Sequence, residues 1–269
     1  MAETTFSDLI ANLDRRSQGR VDAVIPEDWM QGRTTYGGLT AALCHEAGKR
    51  VAGDRPLKAA QISFVGPSGG EVVISPTVMR EGKHTTAVSV DMVGEKGIAA
   101  RCLFTFAAPR PSQLSMTEVP VPIALTTPEA ADQRYFPRGG GPGYTQHFEM
   151  QLAGGPTLFS RAETADVYLW LRHLDTGARG GPYDPTHLFS IGDVPPPAAL
   201  AMMREPGRIS SMTWMVEFLT PSPSTEDGWW LNRSQAQTAR DGYSAQSMTL
   251  WNRAGEPVMV GRQTVAIFS

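Results

Sequence analysis

Two halves of the chain can be laid on each other. Phe64-Val65-Gly66-Pro67 closes a strand after a helical stretch in the first half, and Phe218-Leu219-Thr220-Pro221 does so in the second. Arg80-Glu81-Gly82 and Arg240-Asp241-Gly242 occupy the same later turn, Gly97 and Gly255 fall in the last hairpins, and Phe106 and Phe268 end the two copies. A period this long excludes a solenoid of short stacked repeats. Each copy must instead be a unit with its own helix and antiparallel sheet, an α+β arrangement.

The local patterns fill in that unit. Phe6, Leu9, Ile10 and Leu13 recur at helical spacing behind a possible cap at Ser7, so the chain opens with a short helix. A strand is expected from Arg20 to Pro26. TTYGGLTAALCHEAGKRVAG follows; it is rich in Ala and Leu, enters at Gly37-Gly38 and stops at Gly53, which predicts a buried helix. AAQISFVGP, EVVISPTVMR, HTTAVSVDMV and IAARCLFTFAA read as strands. The breaks between them, GPSGG, EGK and GEKG, carry glycine, as hairpins require. This assigns residues 1–108 to the first unit. Proline and glycine dominate residues 109–145, a crossing segment between units. The pattern restarts over 146–269. HFEMQL and TADVYLWLRHL read as strands, and DPTHLFSIGDVPPPAALAMM as a helix entered through a turn. SSMTWMVEFLTP, GWWLNRSQAQTAR, YSAQSMTLWN and VMVGRQTVAIF read as four more strands.

Lys and Arg number 24 against 27 Asp and Glu, a formal net charge of −3, so phosphate neutralisation cannot drive affinity and no nucleic-acid role is expected. No apolar run approaches the roughly 20 residues needed to span a bilayer. The N-terminus carries Glu3, Asp8 and Asp14 in place of the basic start and apolar core of a signal peptide. Cys44 and Cys102 make neither a disulfide framework nor a CxxC zinc pair. The expectation is a soluble, cytoplasmic protein.

Six segments carry a family resemblance: YGGLTAAL before the first long helix, ISFVGP with VMREGKHTTAVSV in the first half, IGDVPPPAAL at the second helix, and WMVEFLTP with GRQTVAIF at the end. In this order and spacing, over nearly the whole chain, the sequence resembles the acyl-CoA thioesterase II family and its thioesterase-like relatives. The resemblance implies a double hotdog fold, two helix-plus-antiparallel-sheet repeats in one chain. It also implies an acyl-CoA substrate, no cofactor, and a homo-oligomer. The family's catalytic set is an Asp at the entrance of the second helix, a Ser or Thr on the following strand, and a Gln on the last strand. Asp193 and Gln263 match the first and third directly. Counting back from the Phe-x-x-Pro corner puts the hydroxyl at Ser211, with Thr213, two residues on and on the same face of a regular strand, as the alternative.

These residue types suit thioester hydrolysis, which needs a positioned water, a base and a sink for oxyanion charge. An ionised Asp at a helix N-terminus gains roughly 0.3–1 kcal/mol from the helix dipole and can take a proton from water. An amide and a hydroxyl can hold that water, and N–H groups at the Gly37-Gly38 helix entrance can bind the substrate oxyanion. Laying IGDVPPPAAL on YGGLTAAL sets Asp193 opposite Gly38, and laying the last strands together sets Gln263 near Leu103. Only the second copy therefore carries the polar groups. The G-x-S-x-G at residues 66–70 precedes a strand, not the helix of a hydrolase elbow, and reads as a hairpin. His187 is a candidate pocket residue because it stands shortly before Asp193. A non-catalytic acyl-CoA-binding protein and a hotdog hydratase or dehydratase are the rival functions. The latter would want a helix-borne Asp–His pair that the sequence does not offer.

Overall fold

The computed structural model of the chain describes residues 4–122, 125–131, 134–136 and 140–268. The short helix α1 (Phe6–Ala11) is capped by the side chain of Thr5, not Ser7, and buries Phe6. Then come β1 (Asp14–Arg15), β2 (Val21–Ile25), the small β3 (Met30–Gln31) and β4 (Thr34–Thr35), and the long helix α2 (Gly37–Lys49). Every residue from Gly38 to Gly48 is buried. A helix buried on all sides lies inside the fold, and α2 packs against β5 (Leu57–Phe64), β6 (Gly70–Glu81), β7 (Thr85–Gly94) and β8 (Gly97–Ala107). The strands alternate buried and open positions, as in Val88, Val90 and Met92 of β7, so one face of the sheet closes over the helix.

The second unit contains β9 (Phe148–Gly154), β10 (Asp166–His173), the helix α3 (Pro185–Gly192), β11 (Arg208–Phe218), β12 (Trp230–Arg240), β13 (Tyr243–Asn252) and β14 (Pro257–Phe268). All strands but β3 and β4 join one 12-stranded sheet, in the order β1-β2-β6-β7-β8-β5-β11-β14-β13-β12-β10-β9. The two copies are fused where β5 pairs antiparallel with β11, Ile62 opposite Trp214. This is the expected double hotdog, α+β, with α2 and α3 side by side on the covered face. They run antiparallel: the start of α2 lies by Ser190 at the end of α3, and His45 near its end lies by Thr186 at the start of α3. No described helix is long and apolar enough to cross a membrane.

Three expectations change. GPSGG is not a hairpin, because β5 pairs with β8 and β11 while β6 pairs with β2 and β7. The segment is a crossover that carries the chain from the fusion seam to the far side of the first unit, and the Ser68 carbonyl accepts from the Thr35 N–H on the way. The second helix starts at Pro185, not at the prolines after Asp193. Asp184 caps it and Pro185 occupies the first turn, where a missing N–H breaks no bond. Pro195, Pro196 and Pro197 form an extended arm leading only to a single 3-10 turn, Ala198–Met202. Leu103 lies on the outer side of β8; the covered face there carries Ala100, Cys102 and Phe104. Part of the Pro/Gly-rich segment, including Arg138 and Gly139, lies outside the described residues.

Candidate active site

Asp193 stands at the C-terminal cap of α3, immediately after Gly192. That glycine is packed against Met259 and Trp214; a Cβ there would run into the methionine methyl. Asn232, on β12, holds the Gly192 carbonyl from the sheet side at 3.4 Å. The Tyr144 hydroxyl donates to the Val194 carbonyl at 3.1 Å, on the other side of the aspartate. The end of α3 is therefore pinned before and after Asp193.

Its own helix dipole disfavours the carboxylate, which reverses the expected sign. The compensating positive end belongs to α2. The Gly38 backbone N–H, in the first turn of α2, faces the Asp193 carboxylate. Gly37 allows the approach: a Cβ there would sit 2.6 Å from Asp193 Oδ2 and 2.7 Å from the Phe64 ring. Asp193 and Gly38 are thus not corresponding positions of the two copies; they meet across the helix pair. The N–H expected to bind substrate oxyanion at Gly38 is directed at the aspartate instead.

Gln263, on β14, is 4% exposed and donates through Nε2 to Asp193 Oδ1. The aspartate retains a partly open surface but is densely surrounded by protein. Burial pushes its pKa up to about 7, and the donors from Gln263 and Gly38 hold it below what burial alone would give. A carboxylate balanced near neutrality can both take and return a proton at ordinary pH.

The structure separates the two candidate hydroxyls. The register of β11 against β14 shifts between Ser211, which pairs with Val265, and Thr213, which pairs with Thr264. Met212 is the extra residue of this bulge, so two-residue counting no longer preserves the face. Ser211 shares the row of buried Val265 and is half-buried, whereas Thr213 is exposed on the outer face. Among the described residues Ser211 makes no side-chain hydrogen bond to Asp193 or Gln263. His187 lies at the other end of α3, bonded at 3.0 Å to Asp184.

One site residue had no place in the motif. Gln246, on β13, donates from Nε2 to Gln263 Oε1 at 2.8 Å, and its own Oε1 accepts from the Ala198 N–H at 3.0 Å. It occupies the inward register shared with Met248 and Leu250. An amide in an apolar inward row was the available signal. Away from the site, His45, Glu46 and Asp184 bring potential metal-ligand atoms within 4.8 Å of one another. The Lys49 ammonium bonds both carboxylates, 3.1 Å from Asp184 Oδ2, and supplies the positive charge a metal would bring.

Residues 25–107 match the family model of the acyl-CoA thioesterase N-terminal domain, and residues 124–267 that of the C-terminal domain. The chain belongs to the acyl-CoA thioesterase family. Similar solved structures share the fold at low identity. A hot dog fold protein of unknown function from Alicyclobacillus acidocaldarius is 22% identical, with 97% of each chain covered and a TM-score of 0.83. The tesB protein of Mycobacterium avium subspecies paratuberculosis is 18% identical, with 98% of this chain and 100% of that one covered and a TM-score of 0.80. The acyl-CoA thioesterase II TesB2 of Mycobacterium marinum is 15% identical, with 97% and 98% covered and a TM-score of 0.76. No functionally curated protein matches the sequence significantly. Within this family member, the meeting point of α2, α3 and β14 is the place where a titratable group, an amide donor and a helix N-terminus converge.

Proposed function

We propose that this family member hydrolyses a fatty acyl-CoA to the free acid and coenzyme A, with Asp193 as the base. The observation that carries the reading is the buried Asp193–Gln263 contact at the positive end of α2. Asp193 takes a proton from a water molecule as the water oxygen adds to the thioester carbonyl carbon. The tetrahedral oxyanion then collapses, the carbon–sulfur bond breaks, and the departing thiolate recovers the proton from Asp193. Gln263 holds the carboxylate and the water, and the Ser211 hydroxyl, on the covered face, is the second water contact. First-turn N–H groups of α2 around Gly37 favour the developing negative charge. The chemistry needs no metal or redox cofactor. Cytoplasmic acyl-CoA is the substrate pool, and the chain associates with further copies of itself.

The test is thiol release from acyl-CoAs of graded chain length, by the wild type, Asp193→Asn and Gln263→Leu. Wild-type release with a loss of about 10²–10⁴ in Asp193→Asn is expected. Undiminished turnover in folded Asp193→Asn removes the assignment. Acyl-CoA binding by the wild type without any release favours the non-catalytic binder.

A further inference from the structure

We infer that Gln246 is a positioning residue that fixes which way round the Gln263 amide faces Asp193. The role rests on Asp193 being the base, but the polarity argument stands on geometry alone. A side-chain amide can flip, exchanging its oxygen for its NH₂ group with almost no change in shape. Gln263 presents its NH₂ to Asp193 only if something else holds its oxygen.

That constraint starts from the backbone. Pro195, Pro196 and Pro197 have no N–H, so Ala198 offers the first backbone donor after Val194. The Ala198 N–H can only donate, so the Gln246 atom 3.0 Å from it must be Oε1. This turns Gln246 Nε2 toward Gln263, where it must find an acceptor, Oε1, at 2.8 Å. Gln263 Nε2 is left facing Asp193 Oδ1. Flipping Gln263 alone would set donor against donor at Gln246 and oxygen against carboxylate at Asp193. Flipping both would set donor against donor at Ala198. Both glutamines are nearly fully buried, so water cannot relieve either conflict. The proline arm therefore sets the direction of a chain of amides that ends on the carboxylate.

Gln246→Glu tests the direction without changing the volume. When ionised, the introduced carboxylate accepts from Ala198 with one oxygen and offers the other to Gln263. Gln263 must then flip and put its oxygen against Asp193. Once protonated, the same group donates to Gln263 Oε1 and restores the native order. Gln246→Met keeps the length but releases Gln263 to either orientation. Two readouts apply: kcat against pH for thioester hydrolysis, and the titration midpoint of the Asp193 carboxyl by carbon-13 NMR, assigned by its absence in Asp193→Asn. In Gln246→Glu the midpoint is expected to rise by about one pH unit, a tenfold change in proton affinity. Its kcat should fall at least about tenfold relative to wild type near neutral pH, and the ratio of the two at equal pH should recover as acid protonates the introduced carboxylate. Gln246→Met should fall less and show no acid recovery. Equal losses in both variants with an unmoved midpoint would reduce Gln246 to a packing residue, and wild-type behaviour in both would remove it altogether. If Gln246→Glu fails to fold, a midpoint in Gln246→Met unchanged from wild type overturns the inference. A shifted midpoint in a chain that hydrolyses nothing would uphold the amide chain and sink the enzymatic reading.

Discussion

Replacing Asp193 by Asn should stabilise the protein in alkali and much less in acid. The native pKa of about 7 stands about 3 pH units above the ordinary 3.8, and each unit corresponds to about 1.36 kcal/mol between the two protonation states. The folded state holds this proton more tightly than the unfolded chain does. The folded protein therefore loses stability as pH rises from 3.8 to about 7, and the loss is complete above that. Its full size is about 4 kcal/mol, an upper bound because the aspartate keeps a partly open surface. Between about pH 5 and about pH 8 the wild type should lose about 2.5 kcal/mol through this one group.

The Asp193→Asn variant has no such dependence. Its new NH₂ group meets the Gly38 N–H or the Gln263 donor unfavourably, at about 1 kcal/mol, but that term is constant with pH. The diagnostic quantity is therefore the change in the stability difference between the two proteins, not its value at either pH. Urea unfolding at about pH 5 and about pH 8, at one ionic strength, measures it. Other titrating groups are common to both proteins and cancel. At roughly 2–4 °C per kcal/mol for a chain of this size, the melting temperatures should diverge by about 5–10 °C. If the two stability curves stay parallel to within about 0.5 kcal/mol, the carboxylate is well solvated and the argument for its tuned basicity fails.

Three further outcomes follow from the packing. Gly37→Ala drives a Cβ to 2.6 Å from Asp193 Oδ2 and 2.7 Å from the Phe64 ring; a loss of about 1–3 kcal/mol by thermal melting, with a larger proportional loss of thioester turnover, is expected. Ser211→Ala should lower kcat by about tenfold or more if its hydroxyl holds the water, whereas Thr213→Val, on the outer face, should stay within about twofold; the thiol-release assay distinguishes them. Among the described residues, Lys49→Met leaves the Glu46 carboxylate, 4% exposed, with Thr186 and a distant Arg15 as partners. Because Lys49 is itself 38% exposed, the expected loss in chemical denaturation is about 2–3 kcal/mol, below that of a fully buried pair.

The sequence made the strands legible because period-two burial leaves a direct mark, and the repeated Phe-x-x-Pro corner showed that the unit occurs twice. It misled where a local signal had two readings. Pro195-Pro196-Pro197 before Ala-Ala-Leu suits a helix entrance, yet Asp184-Pro185 carries the stronger cap, and only one helix fits between β10 and β11. The shared face expected for Ser211 and Thr213 is lost for a different reason: a single extra residue at Met212 puts the two hydroxyls on opposite faces, and nothing in SSMTW announces a bulge. Glycine breaks suggested neighbouring strands throughout, but β5 had to leave its sequence neighbour β6 to meet β11, a long-range pairing with no local trace. Gln263 could be named from the motif. Gln246 could have been found only by trusting the inward register of β13 and asking why an amide stood in it.

The antiparallel helix pair explains why a single chain with two similar units carries one candidate site. The pair has two ends, and the same elements meet at each with their roles exchanged. At one end the first turn of α2 faces the last residue of α3, and Gly37 and Gly38 admit the Asp193 carboxylate. At the other end the first turn of α3 faces the last turns of α2, where Thr186 contacts His45 and Glu46 and Lys49 bridges Glu46 to Asp184. Burial there holds His45 neutral, with its pKa lowered to about 3. The Lys49 ammonium lies between the two carboxylates, and the Asp184 carboxyl is held below its ordinary range because the His187 hydrogen bond and the neighbouring positive charges outweigh the opposing effect of burial. Among the described residues no cation stands beside Asp193. It is held only by neutral donors, an amide and a backbone N–H, which stabilise the anion without abolishing its basicity. That difference in partners, more than the presence of a carboxylate, separates an end that locks two helices together from one that can exchange a proton with water.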